Sequence, residues 1–221
     1  MKTIFVEARK KLHKFDVFNI DAKKLPKKIR LITTVQYISF LAPIKKELEK
    51  RGKKVSIVKG TLTKYPGQIL GCDIGAAKKL SRVDAFLFIG SGRFHAEQVA
   101  LAVKKPVFIW QPENNRLDKI KEEDMLKLKA RKKAALANFL AAEQVGILVS
   151  IKPGQENLKK ALKIKEELEK KGKEAFIFIA DTINLQELEN FSCKAWLNIA
   201  CPALNMEPRI LNLADIDIKS F

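Results

Sequence analysis

Apolar runs and helical stretches take turns along this chain, and the strictness of that alternation leaves few architectures open. "IRLITTV" (29–35) is short, apolar and rich in β-branched residues. It is followed by the helical "APIKKELEKRG", closed by Gly52 as a cap, and then by the strand "KVSIVKG". "DAFLFIG" (84–90) is an unbroken apolar run bounded by glycine, the pattern of a strand buried on both faces. The helical "RFHAEQVALAV", the strand "KPVFIWQP" and a long helix over 117–142 come next. The cycle then restarts with "VGILVSI", the helix "ENLKKALKIKEELEKKG", "EAFIFIA", a short helix at "NLQELEN", and "AWLNIAC". This grammar predicts an α/β protein with parallel sheets. The stretches "TTVQY…LEKRGKKVSIV" and "VSIKP…LEKKGKEAFIF" read as a weak internal repeat. The expected architecture is two consecutive small parallel-sheet units with flanking helices, residues 1–142 and 143–221.

Composition narrows the setting. No apolar run approaches the roughly 20 residues of a membrane helix. The opening "MKTIFVEARKKLHK" has too short an apolar stretch for a signal peptide. The reading is therefore cytoplasmic, with no membrane partner. The net charge of +18 rests on 43 basic residues, of which only eight are arginine. Lysine provides point charge rather than the planar fork of specific recognition. The lysines also alternate with glutamates at helical spacing, which marks solvated helix surface rather than a nucleic-acid footprint. That charge can still help dock an acidic or RNA-associated partner.

Three cysteines, Cys72, Cys193 and Cys201, are an odd number, and a disulfide framework is not expected. Inert packing, metal ligation and reactive thiols stay open. In open parallel sheets, ligands gather at the carboxyl ends of the strands. Cys201 directly follows "AWLNIA" and precedes Pro202. Cys72 lies in the loop "KYPGQILGCD" after "KVSIV". Gly90-Ser91-Gly92 follows "DAFLFI" and opens a helix. All three fall on that rim, whereas Cys193 precedes its strand at the opposite end. Rim placement sets ligation by Cys72 and Cys201 against the alternative that a free cysteine is a small buried hydrophobe. Gly90 and Gly92 begin a dinucleotide-type fingerprint, but His95 stands where the third glycine belongs. The amides of such a helix start can still hold a carboxylate. Arg93, His95 and Gln36 are candidate polar contacts there, or else pair within the fold. His13 reads as surface, and Trp110 and Trp196 as core.

The motifs "TTVQY", "GQILGCD", "VDAFLFIGSGRFH", "KPVFIWQP" and "AWLNIACPAL", in this order, resemble the archaeal-type diphthamide synthase family, the 2-(3-amino-3-carboxypropyl)histidine synthases. The likeness runs from about Ile29 to the end of the chain and covers the family's second and third α/β units. The resemblance implies a 4Fe-4S cluster held by three cysteines, with Cys72 and Cys201 matching the second and third ligands. It implies S-adenosyl-L-methionine as cofactor, for which Gln36, Gly90, Gly92, Arg93 and His95 of the rim are the candidate contacts. Radical cleavage would pass an aminocarboxypropyl group to a histidine of translation elongation factor 2. The family's first unit and its cysteine have no match here, which implies a partner chain or a homodimer. The strand "TIFVEA" is expected to be the last of that absent unit. Tyr37, Ser91 and Ala203 stand where the family usually has histidine, an acidic residue and arginine. A non-catalytic scaffold is the alternative function, and a charge-driven RNA-binding module is a third.

Overall fold

A computed structural model describes residues 4, 6–11, 20–79, 82–152, 155–201, 204 and 208–218. The chain divides into two compact units, Met1–Met125 and Leu126–Phe221. The division falls inside the helix whose end, at 142, was the expected boundary.

The first unit carries a five-stranded sheet. Its strands are β1 (Lys28–Thr33), β2 (Lys54–Ser56), β3 (Ala85–Ile89), β4 (Val107–Gln111) and β5 (Arg116–Lys119), in the order β2-β1-β3-β4-β5. All pairs are parallel except β4–β5. Every residue of β3 is buried, as a strand covered on both faces requires. On one face Leu31, Leu87, Ile89 and Trp110 pack against helix α1 (Leu41–Lys50) through Leu41, Ile44 and Leu48. On the other, Ile32, Phe86, Phe88 and Ile109 meet α2 (Gly75–Lys78) and α3 (Phe94–Val103) through Ala76, Ala77, Ala96 and Val99.

The second unit has a four-stranded parallel sheet. It comprises β6 (Gln144–Ser150), β7 (Glu174–Ala180), β8 (Ala195–Asn198) and β9 (Ile210–Asn212), in the order β7-β6-β8-β9. Helices α4 (Glu122–Ala141) and α5 (Leu158–Lys170) cover one face with Ala135, Phe139, Ala161, Ile164 and Leu168. Among the described residues, no long helix covers the other face. Leu148, Trp196 and Ile210 are capped by a short 3-10 turn bearing Leu188 and by Cys193. Gly146 makes room for the indole: a β-carbon there would stand 2.3 Å from Trp196 ring atoms.

The internal repeat extends to hydrogen bonds. Helices α1 and α5 both end on a glycine at φ +77°, Gly52 and Gly172. In each, the next residue's amide returns to a carbonyl of the last turn, Lys53 to Leu48 (3.0 Å) and Lys173 to Leu168 (3.1 Å). A glycine tolerates this left-handed step and frees the following chain to enter a strand. Both units then place that strand at one edge of the sheet, beside the strand that opened the repeat.

Several elements differ from the sequence expectation. The long helix starts at Glu122, because Leu117–Lys119 belong to β5, an antiparallel return strand after a turn with Asn115 at φ 52°. β2 is three residues long, and β5, β9 and α2 carry too little periodic signal to be read. Of "TIFVEA", residues Ile4 and Val6–Ala8 belong to no strand, and the rest lies outside the described residues. Trp110 and Trp196 are core, each 1% exposed. His13 lies outside the described residues.

Candidate functional site

In the first unit, three segments converge on the carboxyl end of the sheet. The first follows β1, where Thr33 closes the strand. Its hydroxyl donates to the Ile89 carbonyl (2.6 Å), which ties the ends of β1 and β3 together. Gln36 is exposed beyond it, and Tyr37 is buried. The Gln36 carbonyl accepts from the Lys10 amide (2.7 Å). The Tyr37 hydroxyl donates to Glu113, in the turn after β4. Burial first, and that carboxylate second, push the phenol's pKa up.

The second segment is the glycine loop. After β2 the chain returns over the end of β1. The Gly67 carbonyl accepts from the Thr33 amide (2.8 Å), and the Ile69 amide donates to the Thr33 carbonyl (2.7 Å). Gly67 has φ +79°, and a β-carbon there would lie 2.5 Å from Leu41 and 2.9 Å from Ile57. Only glycine permits that approach, which explains the Pro66-Gly67 turn. The loop then delivers Cys72, whose side chain is exposed. Asp73, 6% exposed, pins the turn. Its carboxylate accepts from the Leu62 amide (2.7 Å) and the Gly75 amide (2.7 Å).

The third segment, Gly90–His95, links β3 to α3. Gly90 has φ +153°, and a β-carbon would crowd Phe88 and Tyr37 at 3.1–3.3 Å. Gly92 has φ +76° in open space. Phe94 lies beside the glycine loop, 3.3 Å from where a β-carbon on Gly71 would be. The Cys72 loop and the helix start are therefore neighbours. Arg93 is committed to ion pairs with Glu97 (3.0 Å) and Asp124. His95 stacks on Phe88, with centroids 6.0 Å apart, and meets Phe94 edge-on at 5.0 Å. Burial lowers its pKa, which favours the neutral imidazole.

In the second unit, Cys201 is half-buried, just past the carboxyl end of β8. Asn198, 3% exposed, braces the turn. Its amide nitrogen donates to the Cys201 carbonyl (2.6 Å) and to the Asn212 side-chain oxygen on β9 (2.5 Å). Its own oxygen accepts from the Ala200 amide (3.0 Å). Pro202 and Ala203 lie outside the described residues. Cys193 is buried in the core at the other end of the sheet, and desolvation raises its thiol pKa.

Gln36, Cys72, Gly90, Gly92, Arg93 and His95 thus share one rim of the first unit, and Cys201 occupies the equivalent rim of the second. Asp73, Asn198 and Asn212 were missed from the sequence. An acidic or amide residue within three positions of each rim cysteine was the available signal. Iron–sulfur clusters are held by cysteine thiolates, and each rim offers one thiol of that kind. Among the described residues, no three His, Cys, Asp or Glu side chains gather to hold a metal ion.

The fold and its two rims define a protein built of parallel α/β units, each with one cysteine on a braced turn at the carboxyl end of its sheet. The family model described as "Putative diphthamide synthesis protein" matches residues 1–208. The chain belongs to the diphthamide synthesis family. It is 36% identical over 209 residues to the 2-(3-amino-3-carboxypropyl)histidine synthase of Pyrococcus horikoshii, covering 93% of this chain and 60% of that protein. The Methanocaldococcus jannaschii protein of the same name is 28% identical, with 96% of this chain and 58% of the relative covered. The crystal structure of Dph2 from Pyrococcus horikoshii with a 4Fe-4S cluster superposes with a TM-score of 0.76 at 35% identity, covering 89% of this chain and 58% of that one. The chain spans about 60% of the length of these curated relatives. Among the described residues, no helix is long and apolar enough to cross a membrane.

Proposed function

We propose that these residues form two α/β units of a 2-(3-amino-3-carboxypropyl)histidine synthase acting in the cytoplasm on translation elongation factor 2. The observation that carries this reading is the pair of rim turns. Each holds one cysteine, and each is fixed by a buried Asp or Asn side chain rather than left as a mobile loop. Cys72 and Cys201 each contribute a thiolate to a 4Fe-4S cluster. A third thiolate comes from the part of the synthase that these residues do not span. A cluster held there would supply the electron for reductive cleavage of S-adenosyl-L-methionine at the bond to its aminocarboxypropyl group.

The protein's own task is placement. The amides opening α3 at Gly92 and Arg93 offer donors for the cofactor's carboxylate. Gly90 keeps that approach clear. Neutral His95, wedged between Phe88 and Phe94, can give one ring N–H without adding charge. Gln36 supplies an exposed amide on the same rim. The scaffold reading draws on one observation: Arg93 is engaged by Glu97 and Asp124 and would have to exchange partners to reach a ligand.

The test is anaerobic reconstitution with iron and sulfide, reduction, and incubation with S-adenosyl-L-methionine and elongation factor 2, with and without the part of the synthase that these residues do not span. Mass spectrometry of the target histidine should show the aminocarboxypropyl adduct in the complete mixture. Cofactor binding without any adduct, under conditions where a full-length relative succeeds, would favour the scaffold.

A further inference from the structure

Arg30 occupies the middle of β1, with buried residues from Ile29 to Thr33 on either side of it, and is itself only 1% exposed. Arginine is almost never buried this deeply without a counter-charge. Among the described residues, no carboxylate pairs with it. Its Nη1 donates to three main-chain carbonyls, Lys79 (2.7 Å), Ala76 (3.1 Å) and Ala77 (3.4 Å). The guanidinium carbon lies 5.9 Å from the Phe86 ring centroid, and Nε is buried with no hydrogen-bond partner among the described residues.

Those carbonyls are the closing groups of α2, a single turn of helix. Unsatisfied carbonyls at a helix end attract a cation. The other end of the same turn is held by Asp73 through the Gly75 amide, and Cys72 is the residue before Asp73. A continuous chain of bonds therefore runs from the centre of the sheet through α2 and Asp73 to the exposed thiol. Desolvating a guanidinium against carbonyls alone is expensive, and an apolar side chain of similar volume is often at least as stabilising in such a place. Stability is thus a poor reason for arginine here. Geometry is a good one, because α2 is too short to hold its own shape and the loop before it adds one fully buried apolar side chain, Ile69.

We infer that Arg30 is a positioning residue for Cys72: it anchors α2 from the middle of β1 and so fixes where the rim thiol stands. This inference rests on the proposed role of Cys72 as a cluster ligand. Arg30 touches neither cofactor nor substrate, and it acts through α2 and Asp73.

The test compares Arg30→Met, Arg30→Lys and Cys72→Ser in the completed synthase. One readout needs no cluster: hydrogen exchange of amides 61–79 against those of β3. In Arg30→Met the loop amides should exchange about tenfold faster while β3 is unchanged, and Arg30→Lys, which keeps a donor, should recover part of the protection. The second readout is bound iron after reconstitution. Arg30→Met should lose iron as Cys72→Ser does. Unchanged exchange in Arg30→Met would overturn the anchoring. Iron retained in Arg30→Met but lost in Cys72→Ser would overturn the positioning role and leave the ligand reading intact. Iron retained in Cys72→Ser would sink the ligand reading and the positioning role with it, leaving exchange to report a structural anchor only. If Arg30→Met fails to fold, Asp73→Asn cuts the same chain of bonds one step nearer the thiol. It should then show the same faster exchange and iron loss, and wild-type values in both would overturn the proposal.

Discussion

In the first unit β2 ends at Ser56 and the chain wanders to Cys72, while in the second unit β8 ends at Asn198 and Cys201 follows almost at once. The two thiols reach equivalent rims by different routes. The long loop must be tied down from outside itself. Gly67 docks on Thr33, Asp73 gathers the Leu62 and Gly75 amides, and Arg30 reaches across from the sheet. The short turn is tied down by its own strand, through Asn198 and its neighbour Asn212. The repeat preserves the strand–helix–strand frame and its glycine-capped helix, but the cysteines follow different strands of it: Cys72 comes after the edge strand β2, and Cys201 after β8, the counterpart of β3. A loop's ends are fixed by its strands, but its middle is fixed only by what it can hydrogen-bond.

The sharpest way to break this contrast is Asp73→Ala. It orphans two amides that now donate to a carboxylate, and it should destabilise the first unit by roughly 3 kcal/mol. Urea denaturation followed by hydrogen exchange should locate the loss in the first unit and leave β6 untouched. A loss shared with β6 would mean that the clamp is not local. The counterpart, Asn198→Ala, should cost about 2 kcal/mol and be confined to the second unit, because it removes a neutral network.

Gly146→Ala tests the thinly covered face of the second sheet. A methyl group would enter the Trp196 ring, and overpacking of that kind costs about 2 kcal/mol. The tryptophan emission should shift as the indole is displaced; unchanged emission and stability would show that the ring has room. A finer comparison uses the caps. Gly52→Ala and Gly172→Ala both place a β-carbon at φ +77° with nothing within 4 Å. Each should cost about 1 kcal/mol, from backbone strain alone. Thermal midpoints that differ widely between the two would end the claim that the helix ends are equivalent.

The smallest effect separates the cysteines. Cys193→Ala should cost about 1 kcal/mol through lost packing and leave iron binding unchanged. Its thiol, pushed up by burial, should resist alkylation at neutral pH, while Cys72 reacts readily in the chain without iron. Peptide mapping after a timed pulse of iodoacetamide reads both. Fast labelling of Cys193 would contradict its place in the core.

Strands and helices with strong periodicity were legible in the residues themselves. "DAFLFIG" could be little else than a buried strand, and the glycines ending "LEKRG" and "LEKKG" marked the caps. The α/β class, the repeat and the rim placement of Cys72 and Cys201 follow from local preference and strand order. These are short-range properties that a sequence carries in its spacing. The tertiary structure alone decided that Leu117–Lys119 pair backwards along β4, that β9 exists, and that "GQI" docks on the end of β1. Each depends on a partner distant in sequence or on a run too short to show a period. It also decided which polar groups hold the cysteines. Nothing near Arg30 in the sequence points to Ala76 or Lys79, because a buried donor finds its acceptor through the packing of the sheet against α2, and no spacing rule encodes that distance.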